Sequence, residues 1–192
     1  VFSASKYSVS NLLGYEVNAY YSLIFIPTSI INLMANFIIR PTLTKLSIFY
    51  DMGNIKDFVK LVLKIMLGIV LLTAFAVVAG YFMGMQILSI VLKYDIGEML
   101  KLRSAFIILL IGGGFYAILN LLYYVLVIFE KRREIFITYI ISSVIAFLSS
   151  DKVTVKFGIN GAAILYAFLM CITALIFGMF CVSAILKKSK KT

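Results

Sequence analysis

One stretch of the chain collects polar side chains at helical spacing. Residues 22–47 read SLIFIPTSIINLMANFIIRPTLTKLS and contain both prolines of the chain, Pro27 and Pro41. At about 100° per residue, six polar residues between positions 18 and 40 share an arc of about 80° on one face of a helix. These residues are Asn18, Ser22, Ser29, Asn32, Asn36 and Arg40. Amides, hydroxyls and a guanidinium all form hydrogen bonds, so the stripe needs hydrogen-bond partners along one face of the helix.

The sequence leaves two interpretations of this stripe open. Polar groups inside a membrane cost free energy unless they meet water or a partner, so the stripe must face protein or a wet cavity. A packing seam explains the serines and one asparagine, since both residue types bridge membrane helices. A cavity wall better explains the length of the stripe, its terminal cation and its central proline. Pro27 predicts a bend at the carbonyl of Leu23, and Pro41 predicts that the helix stops before it.

A second helix contributes a weaker candidate. Asn120 lies at helical spacing from Tyr116 and Tyr123, so the three side chains share one face and could meet the same cavity. Aromatic core packing explains this face equally well. The segment at 135–150 is polar along its length, whereas three consecutive glycines at 112–114 predict either close helix contact or a hinge.

The residues needed for most catalytic chemistry are missing. The chain has no histidine, and Cys171 and Cys181 have neither zinc nor redox spacing, which predicts two buried small apolar side chains. All eight acidic residues fall at or beyond the ends of apolar stretches. A proton or sodium relay inside a membrane needs a carboxylate within an apolar span, and a glycosidase needs a pair of carboxylates. With no glycine-rich phosphate loop either, the sequence predicts no enzyme, no metal site and no cofactor.

The elements that must position these residues are membrane helices. Of the 192 residues, 63% are hydrophobic, and the mean hydropathy is +1.08, whereas an ordinary soluble domain is about 45–50% apolar. Segments long enough to cross a bilayer predict an all-α integral membrane protein with five transmembrane helices, the fourth of marginal length. The predicted spans are residues 15–39, 65–84, 104–129, 135–150 and 158–186. Residues 55–64, with three lysines on one face, predict an interfacial amphipathic helix.

The net charge of +10 fits a membrane topology better than a nucleic-acid partner, because the basic residues lie between apolar spans. If the chain starts outside, twelve of its 18 Lys and Arg residues fall on the inside, in segments 40–64 and 130–134 and in the tail 187–192. This distribution predicts an external N-terminus and a cytoplasmic tail. Residues 1–13 have the polar character of a loop, and the first methionine is Met34. We therefore expect the C-terminal part of a longer polypeptide.

Four segments carry a resemblance to a known family. Residues 6–47 read KYSVSNLLGYEVNAYYSLIFIPTSIINLMANFIIRPTLTKLS, followed by GMQILSIVL at 84–92, GGGFYAILN at 112–120 and GINGAA at 158–163. Together they resemble bacterial polysaccharide-export flippases, the Wzx-like members of the multidrug/oligosaccharidyl-lipid/polysaccharide exporter superfamily. The motifs are diffuse, but the likeness covers nearly the whole chain.

The resemblance implies a fold and a substrate. The five spans would be the eighth to twelfth helices, most of one six-helix lobe in a two-lobe, 12-helix exporter with a central cavity. The substrate would be an undecaprenyl-pyrophosphate-linked oligosaccharide moved across the bacterial inner (cytoplasmic) membrane. Its partners would be this lipid-linked substrate, membrane lipid and the N-terminal lobe of the same polypeptide, with no nucleic acid. The stripe's amides and hydroxyls would then suit sugars, and Arg40 would suit the pyrophosphate.

Two other functions remain alternatives. One is a drug or peptidoglycan-precursor exporter of the same superfamily, and the single candidate cavity arginine argues against the precursor type. The other is a non-transporting membrane subunit of polysaccharide biosynthesis. A large extracytoplasmic loop bearing acids or arginines elsewhere in the polypeptide would favour that subunit.

Overall fold

In a computed structural model, residues 2–92 and 96–189 are described, and these ranges are helical apart from short turns. The helices are α1 (Phe2–Leu13), α2 (Tyr15–Asp51), α3 (Ile55–Ala79), α4 (Met85–Leu92), α5 (Ile96–Lys101), α6 (Arg103–Ile128) and α7 (Arg132–Ser189), with a π-helical turn at Gly80–Gly84. Four apolar segments are long enough to cross a membrane: Tyr15–Asp51, Ile55–Ile90, Arg103–Ile128 and Arg132–Lys188. The prediction of an all-α fold is confirmed, and the four segments indicate a multi-pass membrane protein.

Helix α7 breaks at Gly158, whose φ of 58° and ψ of −141° are not helical. Glycine adopts this backbone conformation because it has no Cβ. The break separates α7a, residues 132–157, from α7b, residues 159–189. Ser142 Oγ in α7a lies 2.9 Å from Thr173 Oγ1 in α7b, so the two segments fold back against each other.

Helix α6 lies at the centre of the molecule and contacts α2, α3 and α7. Its three consecutive glycines face three different helices. A Cβ on Gly112 would lie 2.8 Å from the Tyr166 ring, one on Gly113 would lie 2.6 Å from Thr28 Cγ2, and one on Gly114 would lie 2.3 Å from Thr73 Cγ2. Because α6 runs unbroken through them, these glycines permit close helix contact and form no break in the helix.

One end of the molecule gathers the predicted inside segments. The Phe129 ring, just after α6, packs edge-on against Tyr50 of α2 at 4.9 Å and Phe58 of α3 at 5.5 Å between centroids. Lys188 Nζ of α7b lies 4.2 Å from the centroid of the Tyr50 ring. Segments 40–64, 130–134 and 187–189 therefore meet at this end, which we name the basic end. Lys190, Lys191 and Thr192 of the predicted tail lie outside the described residues.

The first thirteen residues differ from their prediction. The structure has helix α1 at Phe2–Leu13, where the sequence predicts a loop. Ser5, Ser8 and Val9, at i, i+3 and i+4, form its buried face, and Ser8 Oγ donates to Asp151 Oδ1 at 2.6 Å. Packing of this face against α7 outweighs the modest helix propensity of serine.

The prediction that the first helix ends before Pro41 is wrong, because α2 continues to Asp51. Leu46, beyond the proline, is fully buried, and the Thr42 hydroxyl donates to the Ile39 carbonyl at 2.7 Å. Core packing therefore continues the helix past a residue that normally breaks it. Pro27 also lies inside α2, and a bend at either proline stays a prediction.

Two other boundaries differ. Residues 55–64 form the first turns of α3, which begins at an Asn54 cap whose side chain accepts from Asp57 N at 3.2 Å. Phe58 and Val62 are buried there, so this segment is continuous with the following span. The fourth predicted span, 135–150, extends to residue 157 as α7a, because Gly158 is the first non-helical residue.

Candidate functional site

A cavity of about 480 Å³ lies between α2, α6, α7a and α7b. We name it the central cavity. Its walls carry hydroxyls, one amide and aromatic rings, and none of the described residues that line it is charged. They are Phe25, Thr28, Ser29, Asn32, Tyr116, Leu119, Tyr139, Ser142, Ser143, Tyr166, Met170 and Thr173.

Helical spacing brings these side chains to one place. The lining residues of each helix follow the pattern i, i+3, i+4 and i+7: they are residues 25, 28, 29 and 32 of α2, residues 139, 142 and 143 of α7a, and residues 166, 170 and 173 of α7b. Residues so spaced lie on one face of a helix. The fold-back at Gly158 turns the faces of α7a and α7b toward the same space.

A second cavity of about 400 Å³ continues along α2 toward Arg40. We name it the mouth cavity, and it is lined by Ser29, Asn32, Leu33, Asn36, Phe37, Arg40 and Pro41. Ser29 and Asn32 line both cavities, so the part of the stripe from Ser29 to Arg40 forms a continuous polar wall. Arg40 lies 11 residues before the end of α2, and Lys64 lies nine residues after the start of α3. At 1.5 Å per residue, both cations lie roughly 15 Å from the turn that joins the two helices.

Three asparagines connect α2 to α6 beside these cavities. Asn120 Nδ2 donates to Asn36 Oδ1 at 3.2 Å and lies 3.4 Å from Asn32 Oδ1. Asn36 Nδ2 donates to the Asn32 backbone carbonyl at 2.9 Å. Asparagines 32 and 36 thus bridge two helices and also line a cavity, which combines the two interpretations of the stripe.

The remaining predicted residues lie elsewhere. Asn18 and Ser22 line neither cavity, and the Ser22 hydroxyl donates to the Asn18 carbonyl at 2.8 Å. Within the described part of the chain, Asn18 Oδ1 is buried without a hydrogen-bond donor. Pro41 lines the mouth cavity, whereas Pro27 borders neither one. Of the candidate face on α6, Tyr116 lines the central cavity, whereas Asn120 and Tyr123 line neither cavity.

Sequence reasoning did not assign several side chains to this site. The missed polar residues are Thr28, Tyr139, Ser142, Ser143, Tyr166 and Thr173. On α7a, the helical spacing of residues 139, 142 and 143 was the sequence pattern that could have indicated a cavity-lining face. Tyr166 and Thr173 lie in a strongly apolar segment, where no local pattern separates a cavity face from a core face.

Neither the cysteines nor any of the acidic side chains in the described part of the chain line the two cavities. Cys181 is buried and Cys171 half-buried, and both are free thiols. In residues 2–92 and 96–189, no three His, Cys, Asp or Glu side chains are placed to hold a metal ion. The described residues that line the two cavities offer hydrogen bonds, aromatic faces and one cation. These groups suit the binding of an uncharged polar group beside an anion.

Comparison with known proteins yields no match. No family model matches the chain, and no match is found among curated proteins or solved structures. The residues and their geometry are therefore the basis for assigning a function.

Proposed function

We propose that this chain forms one wall of the transport cavity in a membrane flippase. The flippase translocates undecaprenyl-pyrophosphate-linked oligosaccharide repeat units across the bacterial cytoplasmic membrane by alternating access. The observation that carries the proposal is the uncharged, hydroxyl- and tyrosine-lined central cavity, which is continuous along α2 with Arg40. Such a wall offers one binding region for the sugar and another for the pyrophosphate of a lipid-linked oligosaccharide.

The central cavity suits the sugar portion. Serine, threonine and tyrosine hydroxyls and the Asn32 amide both donate and accept hydrogen bonds, as sugar hydroxyls do. The rings of Tyr116, Tyr139 and Tyr166 add apolar faces for the C–H surfaces of a pyranose. Because no charged side chain lines the described cavity, uncharged sugars fit it better than acidic ones.

The mouth cavity suits the pyrophosphate. The Arg40 guanidinium is exposed and presents several donors in one plane, which matches phosphate oxygens in paired hydrogen bonds. Arg40 lies toward the basic end, where positive-inside topology places the cytoplasm. A substrate entering from the inner leaflet therefore meets the cation before the hydroxyl-lined cavity.

The proposal includes a membrane topology. Counting α7a and α7b separately gives five spans, with the basic end and the C-terminus in the cytoplasm. These spans would form most of one lobe of a two-lobe, 12-helix exporter, and the other lobe would supply the facing wall. The chain would act by binding and movement, without a cofactor or a chemical step.

The test compares Arg40, which lines the mouth cavity, with Lys45, a second cation of α2 that does not. Replacing Arg40 and Asn36 by alanine in the full-length protein should abolish surface polysaccharide, while the amount of protein in the membrane stays at the wild-type level. Lys45→Ala is the matched control, because Lys45 is exposed on the same helix and lines neither cavity. This control should leave the polysaccharide unchanged.

The result that contradicts the proposal is wild-type polysaccharide in the double variant. A flipping assay in vesicles separates the alternatives, since a drug exporter would carry a cationic dye and ignore lipid-linked oligosaccharide. If purified protein moves neither compound, the function of a non-transporting subunit is favoured.

A further inference from the structure

An apolar groove of about 870 Å³ lies between α3, α6 and α7b. Apart from two cysteines, Ser183 and Lys187 are the polar residues among the described residues that line it. Several apolar side chains along it are more than half exposed, among them Leu63, Leu175 and Met179. The groove is therefore open on its outer side and presents a long apolar surface.

The groove is separate from the polar cavities because α6 contributes different faces to them. Phe115, Ile118 and Leu122 line the groove, whereas Tyr116 and Leu119 line the central cavity. At about 100° per residue, the centres of these two faces are roughly 100° apart around the helix. The groove is thus a separate surface from the central cavity, and the assignment of its occupant does not depend on the flippase function.

The groove is long enough to hold one hydrocarbon chain. Along α7b it runs from Cys171 to Lys187, 16 residues apart, which is about 24 Å at 1.5 Å per residue. Half of a bilayer's hydrocarbon core is about 15 Å thick. The groove therefore extends from the basic end past the depth that one acyl chain of the nearer leaflet reaches.

The charged residues at the basic end of the groove determine which class of lipid head group fits there. Lys187 lines the groove, and on α3 the exposed Lys56 and Lys60 lie next to the lining residues Val59 and Leu63. By helical phase, Asp57 points away from this face. Three cations at the end of an apolar groove favour an anionic head group by electrostatic complementarity.

We propose that this groove binds an anionic phospholipid of the surrounding bilayer. One acyl chain lies between α6 and α7b, and the head-group phosphate contacts Lys187 with Lys56 and Lys60 nearby. A second copy of this chain is disfavoured as the occupant, since its net charge is also +10 and like charges would meet at the basic end.

Tryptophan fluorescence provides the test because the chain contains no tryptophan. Met179→Trp places a reporter in the groove at a site 64% exposed, and Leu71→Trp places a control outside it at a site 62% exposed. Met179 lies eight residues from Lys187 on α7b, and Leu71 lies seven residues from Lys64 on α3. Each reporter is compared with itself in two lipids that carry bromine at the same position, so the comparison does not require the two sites to lie at equal depth.

The full chain is reconstituted in phosphatidylcholine vesicles that contain a small fraction of brominated lipid. Brominated phosphatidylglycerol should quench Met179→Trp at about fivefold lower mole fraction than brominated phosphatidylcholine, the preference expected for one lysine near the surface. At Leu71→Trp the two lipids should quench equally. Adding Lys187→Gln to Met179→Trp should reduce the preference and leave the control unchanged.

Two results would overturn this proposal. Equal quenching of Met179→Trp by both lipids would show ordinary lipid contact without head-group selection. If neither brominated lipid quenches the fluorescence of Met179→Trp, protein rather than lipid covers the groove. Leu175→Trp, also in the groove and 63% exposed, serves as a second reporter if Met179→Trp does not fold.

Discussion

Helix α6 contacts its neighbours in two different ways at two levels. At residues 112–114 the absence of side chains brings α7b, α2 and α3 so close that any Cβ would overlap a neighbouring atom. Two turns further along, Asn120 reaches α2 through side-chain amides at 3.2 and 3.4 Å. At the first level backbone and side chains pack directly, although Thr28 and Tyr166 there also line the central cavity, whereas at the second level side-chain amides bridge a wider gap.

The difference indicates how a membrane protein keeps polar groups accessible without losing a fixed fold. Close packing at the glycines sets the positions of three helices around α6. Asn120 then needs only to bridge the remaining gap between α6 and α2, and its partners Asn32 and Asn36 can also line cavities. We therefore expect stability to depend mostly on the glycines, and ligand binding to depend mostly on the polar level.

The largest expected effect comes from the glycine level. Gly114→Ala places a methyl group 2.3 Å from Thr73 Cγ2, and the Thr73 rotamer is held by a hydrogen bond to the Ile69 carbonyl at 2.8 Å. Overpacking of this kind should lower the free energy of unfolding by about 1–3 kcal/mol. Denaturant titration of the protein in mixed micelles measures the change.

Gly68→Ala is the matched control, because a Cβ there meets nothing within 4 Å. It should leave the free energy of unfolding within about 0.5 kcal/mol of wild type. Adding Thr73→Ala to Gly114→Ala removes the clashing methyl and should restore much of the loss. If Gly114→Ala and Gly68→Ala behave alike, close contact at the glycine level does not hold the helices.

A smaller effect is expected at the asparagine level. Asn120→Leu removes the amide that joins α6 to Asn36, and hydrogen bonds between membrane helices contribute about 0.6 kcal/mol on average and up to about 1.7. A double-mutant cycle with Asn36→Leu isolates this coupling in unfolding measurements. The cycle of Asn36 with Asn160 is the control, because Asn160 instead accepts a hydrogen bond from Ser104, far from the stripe. Equal coupling in both cycles would contradict a specific bridge.

The sequence predicted the features that depend on local pattern. Long apolar stretches marked α3 and α6 and the two segments of α7, since a membrane helix must be about 20 residues long and apolar. The polar stripe of α2 was visible because residues such as Asn32 and Asn36 recur at helical spacing. The candidate at Asn120 followed from the same periodicity, and the structure places it against that stripe.

The features that the sequence did not predict depend on tertiary contacts. Helix α1 is stabilised by a face that packs on α7, and α2 passes Pro41 because Leu46 is buried beyond it. The contribution of Tyr166 to the central cavity depends on the fold-back at Gly158, which brings α7b beside α7a. None of these contacts leaves a periodic signal within one helix.

The smallest expected effect concerns a third kind of contact, the hydroxyl pair Ser142 and Thr173, which joins α7a to α7b beside the central cavity. The two oxygens lie 2.9 Å apart, and Thr173 also donates to the Leu169 carbonyl. A double-mutant cycle of Ser142→Ala and Thr173→Val should give a coupling below about 0.6 kcal/mol, the average for hydrogen bonds between membrane helices, because this bond lies beside a cavity that water can enter. Ser143→Ala is the control, because Ser143 lines the same cavity and is exposed.

A coupling close to zero would mean that water from the cavity replaces the Ser142 to Thr173 bond at little cost, because water satisfies a released hydroxyl almost as well as protein does. A coupling above that of Asn36 with Asn120 would reverse the comparison between the two levels. The fold-back at Gly158, rather than the asparagine bridge, would then be the main polar support of the cavity wall.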